Sequence, residues 1–472
     1  MLQKLAERFS LAQLNPLSAL NQKPKFLFGT PPEIITGNIE IGHSILSGKF
    51  VLGDQKRRFS NFSDLNNINN EYWLAHINNF TWLKDLRAVS NIPARNLAQE
   101  YIENWISLEN KTSKISWRAD ILGDRLTSWL THFGFYSSHG SQDFYDKIFL
   151  SIVRQARHLN RHAMKSVEGS ARIDALRGLI YCGVALPGFD KYLINGQKYL
   201  ENELNYQILS DGGHYSRNPS IHANVLLGIV SIRETFTAAH IEVPDWLTEK
   251  IEQMSSILKS FRHADGGLAF FNGSNFGNVT SIDTLIQKST TRNKAISSAP
   301  HSGFHKLSAN KTSILMDTGS PPPKSANKWG HAGSLAFEMV CGKDRIIVNC
   351  GSMENSTVAW RHALRSTAAH STVVINDTNS TKIDIEGGYL QSPGQVTSSR
   401  REIEGSSIIE ASYDGYLPSL DLIHRRLIML APDGEEIQGE DNILGSSDGR
   451  YTIRFHLHPN IQATVLPSKN SV

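Results

Sequence analysis

Cysteine is scarce. Three thiols in 472 residues (Cys182, Cys341 and Cys350) cannot form a disulfide framework, and none sits in a C-x-x-C pair. They read as buried thiols rather than ligands. Long apolar runs are missing too, and no stretch approaches the ~20 residues that span a bilayer. Charge of one sign is also lacking. Forty-eight Lys and Arg stand against 45 Asp and Glu, a net charge of +3, too small to argue for nucleic-acid binding. The opening MLQKLAERFSLAQLNPL has helical apolar spacing broken by charge. It lacks the uninterrupted apolar stretch of a secretory signal, so this stretch gives no expectation of export. No P-loop, dinucleotide fingerprint, H-E-x-x-H or G-x-S-x-G elbow is present.

What is there divides by periodicity. Residues 1–70 read as a leader, with residues 26–64 as loop and short strand. From Glu71 to about Arg262 the apolar spacing is helical. Ser141 precedes a helix with Ile148, Ile152 and Leu159 on one face. Asp245 starts another, with Leu247, Ile251, Met254, Leu258 and Phe261 in a stripe. Residues 225–232 are apolar nearly all round, as in a helix buried on both sides. Residues 263–323 lose this pattern and hold Gly-Gly, Asn-Gly and Pro-Pro-Pro. The domain junction falls between about 298 and 326. A helical domain over 71–300 is therefore expected to precede a strand domain over 326–472. In the second, alternating segments at 334–341, 345–350, 372–376, 407–412, 423–430, 435–439 and 450–458 argue for an antiparallel β-sandwich.

Two stretches carry chemistry. Residues 328–377 deliver His331, Asn349, Arg361, Arg365 and His370 close to expected strand ends, a set that could hold a metal or an anionic sugar. Residues 211–222, DGGHYSRNPSIH, gather His214, Tyr215, Arg217 and His222 around a helix start, where backbone N–H groups favour anions. Pro219 fits the first turn of that helix. The plainer alternatives are turn residues of a sandwich and a capped loop.

The run His331-Ala-x-x-Leu-x-Phe-Glu338, the turn Val348-Asn-x-Gly351 and Arg365-Ser-Thr-Ala-Ala-His370 resemble the heparinase II/III-like polysaccharide lyases. So do Tyr413-Asp-Gly-Tyr416 and His424-Arg-Arg426. The resemblance implies an (α/α) toroid of helical hairpins followed by an antiparallel β-sandwich, here cut short at its C-terminal end. It implies β-elimination on a uronate polymer: a carboxylate is neutralised, a base takes the C5 proton, and an acid protonates the leaving oxygen. By resemblance His214, Tyr215 and His222 are the candidate catalytic groups. Arg217, Trp329, Arg361 and Arg365 are the candidate sugar contacts, in a cleft between the two domains. His331, Asn349 and His370 match a family metal site, so a structural zinc is possible although no cofactor is required.

The sequence departs from the family pattern at several points. Glu168-Gly-Ser-Ala-Arg172 stands where relatives carry Asn-His, and Ile221 replaces a tyrosine. Trp329 stands where relatives carry the catalytic histidine of His-x-His, and Asn349 replaces a metal-binding aspartate. The expected partner is an acidic polysaccharide or oligosaccharide, with no nucleic acid and no membrane span. The expected location is the cell envelope or periplasm by resemblance, or the cytoplasm on the N-terminus alone. A carbohydrate-binding protein with altered catalysis and a structural envelope protein are the alternatives to an enzyme.

Overall fold

The computed structural model describes residues 24–109, 114–289, 294–353, 356–446 and 449–464. The chain forms two compact units. One comprises Met1–Tyr206 and Leu227–Glu249, the other Gln207–Leu226 and Lys250–Val472. The chain thus passes between them more than once, which a linear partition does not convey.

The first unit is almost wholly helical. Its start corrects the reading of residues 26–64 as loop and strand. Asn38 caps a helix, Ile39–Leu46, by accepting from Glu40 N–H at 2.8 Å and Ile41 N–H at 3.1 Å. Gly42 lets that helix lie on the Asp85 carbonyl, 2.3 Å from where a Cβ would stand. A short hairpin of β1 (Lys49–Leu52) and β2 (Gln55–Arg58) follows. Trp73, Phe80 and Trp82 are core residues. Phe80 and Trp82, tilted against each other, join Phe50, Tyr101, Trp105 and Trp129 in a cluster of otherwise edge-to-face contacts.

Outer and inner helices alternate. Ser141 Oγ caps Gln142–His162, which buries Phe144, Ile148, Ile152 and Leu159 on one side. Ser170–Ala185 is buried nearly all round. It crosses Ala119–Thr131 where Gly178 meets Gly123 so closely that a Cβ on Gly178 would lie 2.5 Å from Gly123 Cα. The buried run at 225–232, within the helix Pro219–Ala238, behaves as its apolar sequence requires.

The second unit is a sandwich. One sheet has the order β14-β7-β6-β5-β4-β3 and the other β12-β11-β10-β9, with a separate β13-β8 pair. Every pairing is antiparallel. The first sheet comprises β3 (Ser298–Ala299), β4 (Phe304–Ala309), β5 (Thr312–Asp317), β6 (Phe337–Cys341), β7 (Asp344–Val348) and β14 (His456–Leu457). The second comprises β9 (Val396–Ile403), β10 (Ser406–Tyr413), β11 (Leu422–Leu430) and β12 (Ile437–Gly445); β8 is Val373–Ile375 and β13 Tyr451–Ile453. Leu307, Ile314, Met316, Phe337, Ile409 and Ile428 meet between the sheets.

Three expectations change here. The sheet begins at Ser298, inside the stretch taken as a patternless junction, because β4 (Phe304 and Leu307) and β5 (Ile314, Leu315 and Met316) lack the strict alternation that marks a strand. A helix, Val279–Ser289, also lies in that stretch. Arg361 and Arg365 sit on a helix, Val358–Arg365, rather than at strand ends. Cys182 is buried, but Cys341 and Cys350 are exposed.

Candidate functional site

The Gly-Gly loop is shaped by contacts that only glycine allows. Gly212 has φ +88°, and a Cβ there would lie 2.5 Å from the Gln253 carbonyl oxygen. A Cβ on Gly213 would lie 2.4 Å from Ser302 Cβ. The loop closes as Tyr215 N–H donates to Gln207 O at 2.8 Å. Asp211 Oδ2 accepts from Ser302 N–H at 2.7 Å.

These contacts turn the expected catalytic side chains inward. His214 is buried. Its Nε2 donates to Gln207 Oε1 at 3.0 Å, so its Nδ1 accepts from Ser216 Oγ at 2.7 Å. Burial, with His222 nearby, holds this imidazole down to about 3. His222 donates from Nε2 to Met254 O at 2.8 Å and lies edge-on to Phe261. Burial holds it down to about 4. Tyr215 is buried beside the His214 ring.

Arg217 was expected to meet a uronate carboxylate, and its geometry differs from that expectation. Its guanidinium donates to Ser302 O at 2.8 Å, Ser320 O at 2.8 Å and Gly303 O at 3.1 Å, and it pairs with buried Asp317. A guanidinium has five N–H donors, and the protein occupies four of them before any sugar arrives. Arg365 is used in the same way. It is buried and donates to Gly330 O at 3.0 Å, Asp384 O at 2.7 Å and Gly388 O at 2.9 Å. Both arginines brace backbone turns. Trp329 is half-buried, with the Lys328 ammonium 5.2 Å and the Arg361 guanidinium 5.9 Å from its ring centroid.

His331 and His370 come together, but through a hydrogen bond between the two rings. His331 Nδ1 and His370 Nε2 are 2.9 Å apart. The tautomers follow by elimination. Ser366 O can only accept, so His370 Nδ1, 2.8 Å away, carries a proton. His370 Nε2 is then a lone pair, and His331 Nδ1 must donate to it. His331 Nε2 is left as a bare lone pair. Burial, then His370 and Arg365, hold His331 well below the usual histidine range, so it is neutral at pH 7.

Asn349 does not complete a metal site. Its Oδ1 accepts from Ser371 N–H at 3.0 Å, and its Nδ2 donates to Glu338 Oε1 at 3.3 Å. Glu338 in turn binds His263 Nε2 at 2.9 Å and Phe270 N–H at 3.0 Å. Among the described residues, no group of three or more His, Cys, Asp or Glu is placed to hold a metal ion. Zinc takes four ligands, and this donor set offers two imidazoles already bonded to each other. The residues do not fit the metal.

His331 Nε2 faces the side-chain-free position of Gly273, a small niche that the sequence reading missed. At Gly273 (φ +87°), the position a Cβ would occupy is 3.4 Å from His331 Nε2, 3.4 Å from Asn218 Nδ2 and 3.4 Å from Trp329 O. Asn218 caps the helix at Pro219 by accepting from Ser220 N–H at 2.8 Å and Ile221 N–H at 3.0 Å. One of its amide hydrogens goes to Asn272 O at 2.8 Å, which leaves the second for the niche. Asn218 was legible as the cap before Pro219. Gly273 had only an Asn-Gly turn signal.

With this geometry in place, likeness to known proteins identifies the scaffold. Residues 56–292 match the Heparinase II/III N-terminus and residues 291–472 match Heparinase II/III-like, C-terminal. The chain belongs to the heparinase II/III-like family. A curated relative, FtsZ-localized protein C of Caulobacter vibrioides (strain NA1000 / CB15N), is 27% identical over 417 residues, covering 84% of this chain and 71% of that protein. Crystal structures of heparinase III (TM-score 0.71, 15% identity, 96% of this chain and 77% of that one) and of the heparan sulfate lyase HepC from Pedobacter heparinus (TM-score 0.57, 16% identity, 96% and 75%) share the fold. The helical region followed by an antiparallel sheet domain is accordingly the toroid-plus-sandwich architecture of this family. Among the described residues, no helix is long and apolar enough to cross a membrane.

Proposed function

We propose that this heparinase II/III-like chain acts on a uronate-containing acidic polysaccharide by β-elimination, with the reacting sugar at the Asn218–Gly273–Trp329–His331 niche. The observation that carries the reading is the bare Nε2 of His331, which faces the same small space as an amide N–H of Asn218. Asn218 would hydrogen-bond the sugar carboxylate and favour the enolate that forms when C5 loses its proton. His331 Nε2 takes that proton. The C4–O bond then breaks with its electron pair on oxygen, a C4–C5 double bond forms, and the imidazolium returns its proton to the departing oxygen. His370 steadies the imidazolium through the Nδ1 bond. Low basicity makes His331 a slow base but a good proton donor, and an anionic sugar beside it raises that basicity. Trp329 offers a ring face to the sugar.

The test is incubation with a panel of acidic polysaccharides, followed by near-ultraviolet absorbance of the unsaturated uronate. Absorbance should rise with at least one polymer and should fail to rise for His331→Ala. Loss of turnover in Tyr215→Phe or His222→Ala, with stability intact, would instead place the base in the Gly-Gly loop.

A second reading is binding without turnover, at the cell envelope. It is favoured by the inward-turned His214, His222 and Arg217, and by a relative named for localisation. Saccharide binding with no absorbance change for any polymer, together with recovery of the chain in the envelope fraction, would select it.

A further inference from the structure

The hairpin of β1 and β2, near the start of the helical unit, has an edge that the proposed chemistry does not use. Its turn is two residues long, Gly53-Asp54, with Gly53 at φ +62°. Such a turn makes Leu52 and Gln55 a hydrogen-bonded pair, and bonded and non-bonded pairs then alternate along the strands. Phe50 and Arg57 form the next bonded pair, and Phe59 N–H donating to Gly48 O at 2.9 Å continues the series. Val51 with Lys56 and Lys49 with Arg58 are the pairs between, so their backbone groups point away from the hairpin. On β1 this outer edge is filled. Lys49 O accepts from Ser44 Oγ at 2.8 Å, and the His76 ring meets Val51 O. On β2 the outward N–H and C=O groups of Lys56 and Arg58 have no partner among the described residues.

The side chains divide by face. Gln55 Oε1 accepts from Trp73 Nε1–H at 3.1 Å, and the Arg57 guanidinium lies 5.4 Å from the Trp73 ring centroid. Side chains alternate along a strand, so Lys56 and Arg58 turn to the opposite face, joined there by Lys49 across the ladder. All three are exposed, and among the described residues none is in an ion pair. Asp54, in the turn, is the single acidic residue of the hairpin. A lysine on an edge strand deters stray pairing, which accounts for Lys56. It does not account for Lys49 and Arg58 standing directly opposite each other, an arrangement that destabilises a strand pair unless something answers the charge.

We propose that the open edge of β2 docks an extended acidic segment of a partner protein as a third, antiparallel strand, with carboxylates at alternate positions opposite Lys56 and Arg58. Each of these residues offers one N–H and one C=O to the added strand, and residues two apart on that strand share one face. Main-chain hydrogen bonds of this kind supply affinity, and the side chains that alternate with them supply specificity. A carboxylate opposite Arg58 also offsets its repulsion from Lys49. A polyphosphate answers the charge but has no peptide N–H and C=O at strand spacing, so the unfilled edge favours a peptide. The proposal uses none of the niche residues and stands whether or not the His331 niche turns a sugar over.

The test is fluorescence anisotropy of a labelled octapeptide of alternating Glu and Thr, titrated with the full chain at low salt. The comparison ligands are the same peptide N-methylated at its glutamates, whose N–H groups would face β2, an alternating Lys-Thr peptide, and inorganic polyphosphate as a competitor. The Glu-Thr peptide should bind, the Lys-Thr peptide should not, and added salt should weaken the complex. N-methylation should lower affinity at least tenfold. Lys56→Glu/Arg58→Glu, both exposed positions, should do the same without moving the melting temperature. Charge-removing Arg58→Gln should lower affinity several-fold, a milder change that guards against misfolding of the double variant. No binding of the Glu-Thr peptide, or unchanged affinity in both hairpin variants, overturns the proposal. Equal affinity for the N-methylated peptide, or displacement by polyphosphate as effective as by unlabelled peptide, overturns the strand assignment.

Discussion

Arg217 shows how far residue chemistry can mislead when partners are unknown. A cation beside histidines and a tyrosine at a helix start reads as an anion contact, yet Asp317, joined to the same network, lies 100 residues away in sequence. Removing one partner of a buried ion pair leaves the other unpaired, which typically costs about 3–5 kcal/mol. Arg217→Ala should therefore lower unfolding stability by about that much in denaturant titration. A fully stable Arg217→Ala that loses saccharide binding would restore the sugar-contact role. His370 makes the complementary case. His370→Ala removes the acceptor that fixes the His331 tautomer, so turnover should fall at least tenfold while the circular dichroism spectrum is kept. A wild-type rate in this variant would separate the pair from the chemistry.

Elements were legible where one face is strongly apolar. The helix Gln142–His162 and its Ser141 cap follow from spacing and capping chemistry. So do β10 and β11, whose alternate residues fill the sandwich core. Ile39–Leu46 was missed because eight residues give too few turns for a period to show, and tertiary contact with Asp85 decides its state. The strands β4 and β5 were missed because Gly and Pro around them read as loop. The crossing of Ala119–Thr131 with Ser170–Ala185 is likewise invisible in one dimension. Gly178→Ala would push a methyl against Gly123, and overpacking of this kind usually costs about 1–3 kcal/mol. A lowered melting temperature with unchanged helix content is expected. No change would mean the two helices can move apart freely.

At the scale of the whole molecule, buried neutral histidines tie stability to pH. In the sheet-bearing unit, burial depresses His214 to about 3 and His222 and His370 to about 4, and lowers His263, His331 and His424. The helical unit has His76, at about 4, and His132, at about 3. Folded values lie below the unfolded value of 6.5, so the unfolded chain binds more protons as pH falls below it. The stability these groups confer is complete above pH 6.5 and is lost progressively as pH falls from 6.5 towards and through the folded values. Calorimetry at pH 7.5 and pH 5 should show destabilisation in acid, with the transition of the sheet-bearing unit falling further. A pH-independent profile would mean these imidazoles are solvated.

The sequence by itself determined the order of classes, helices then antiparallel strands, because amphipathic period is local and survives in one dimension. It also marked 211–222 and 328–377 as places where polar groups concentrate. Only the tertiary structure decided what those groups do. Whether His214 faces a ligand or Gln207, whether His331 and His370 share a metal or a proton, and whether Arg365 meets sugar or backbone all depend on which lone pairs and N–H groups lie within about 3 Å. Those neighbours arrive from distant segments. The niche at Gly273 is the extreme case: an absence of side chain, bounded by atoms from residues 218, 329 and 331, has no signature until the chain has folded around it.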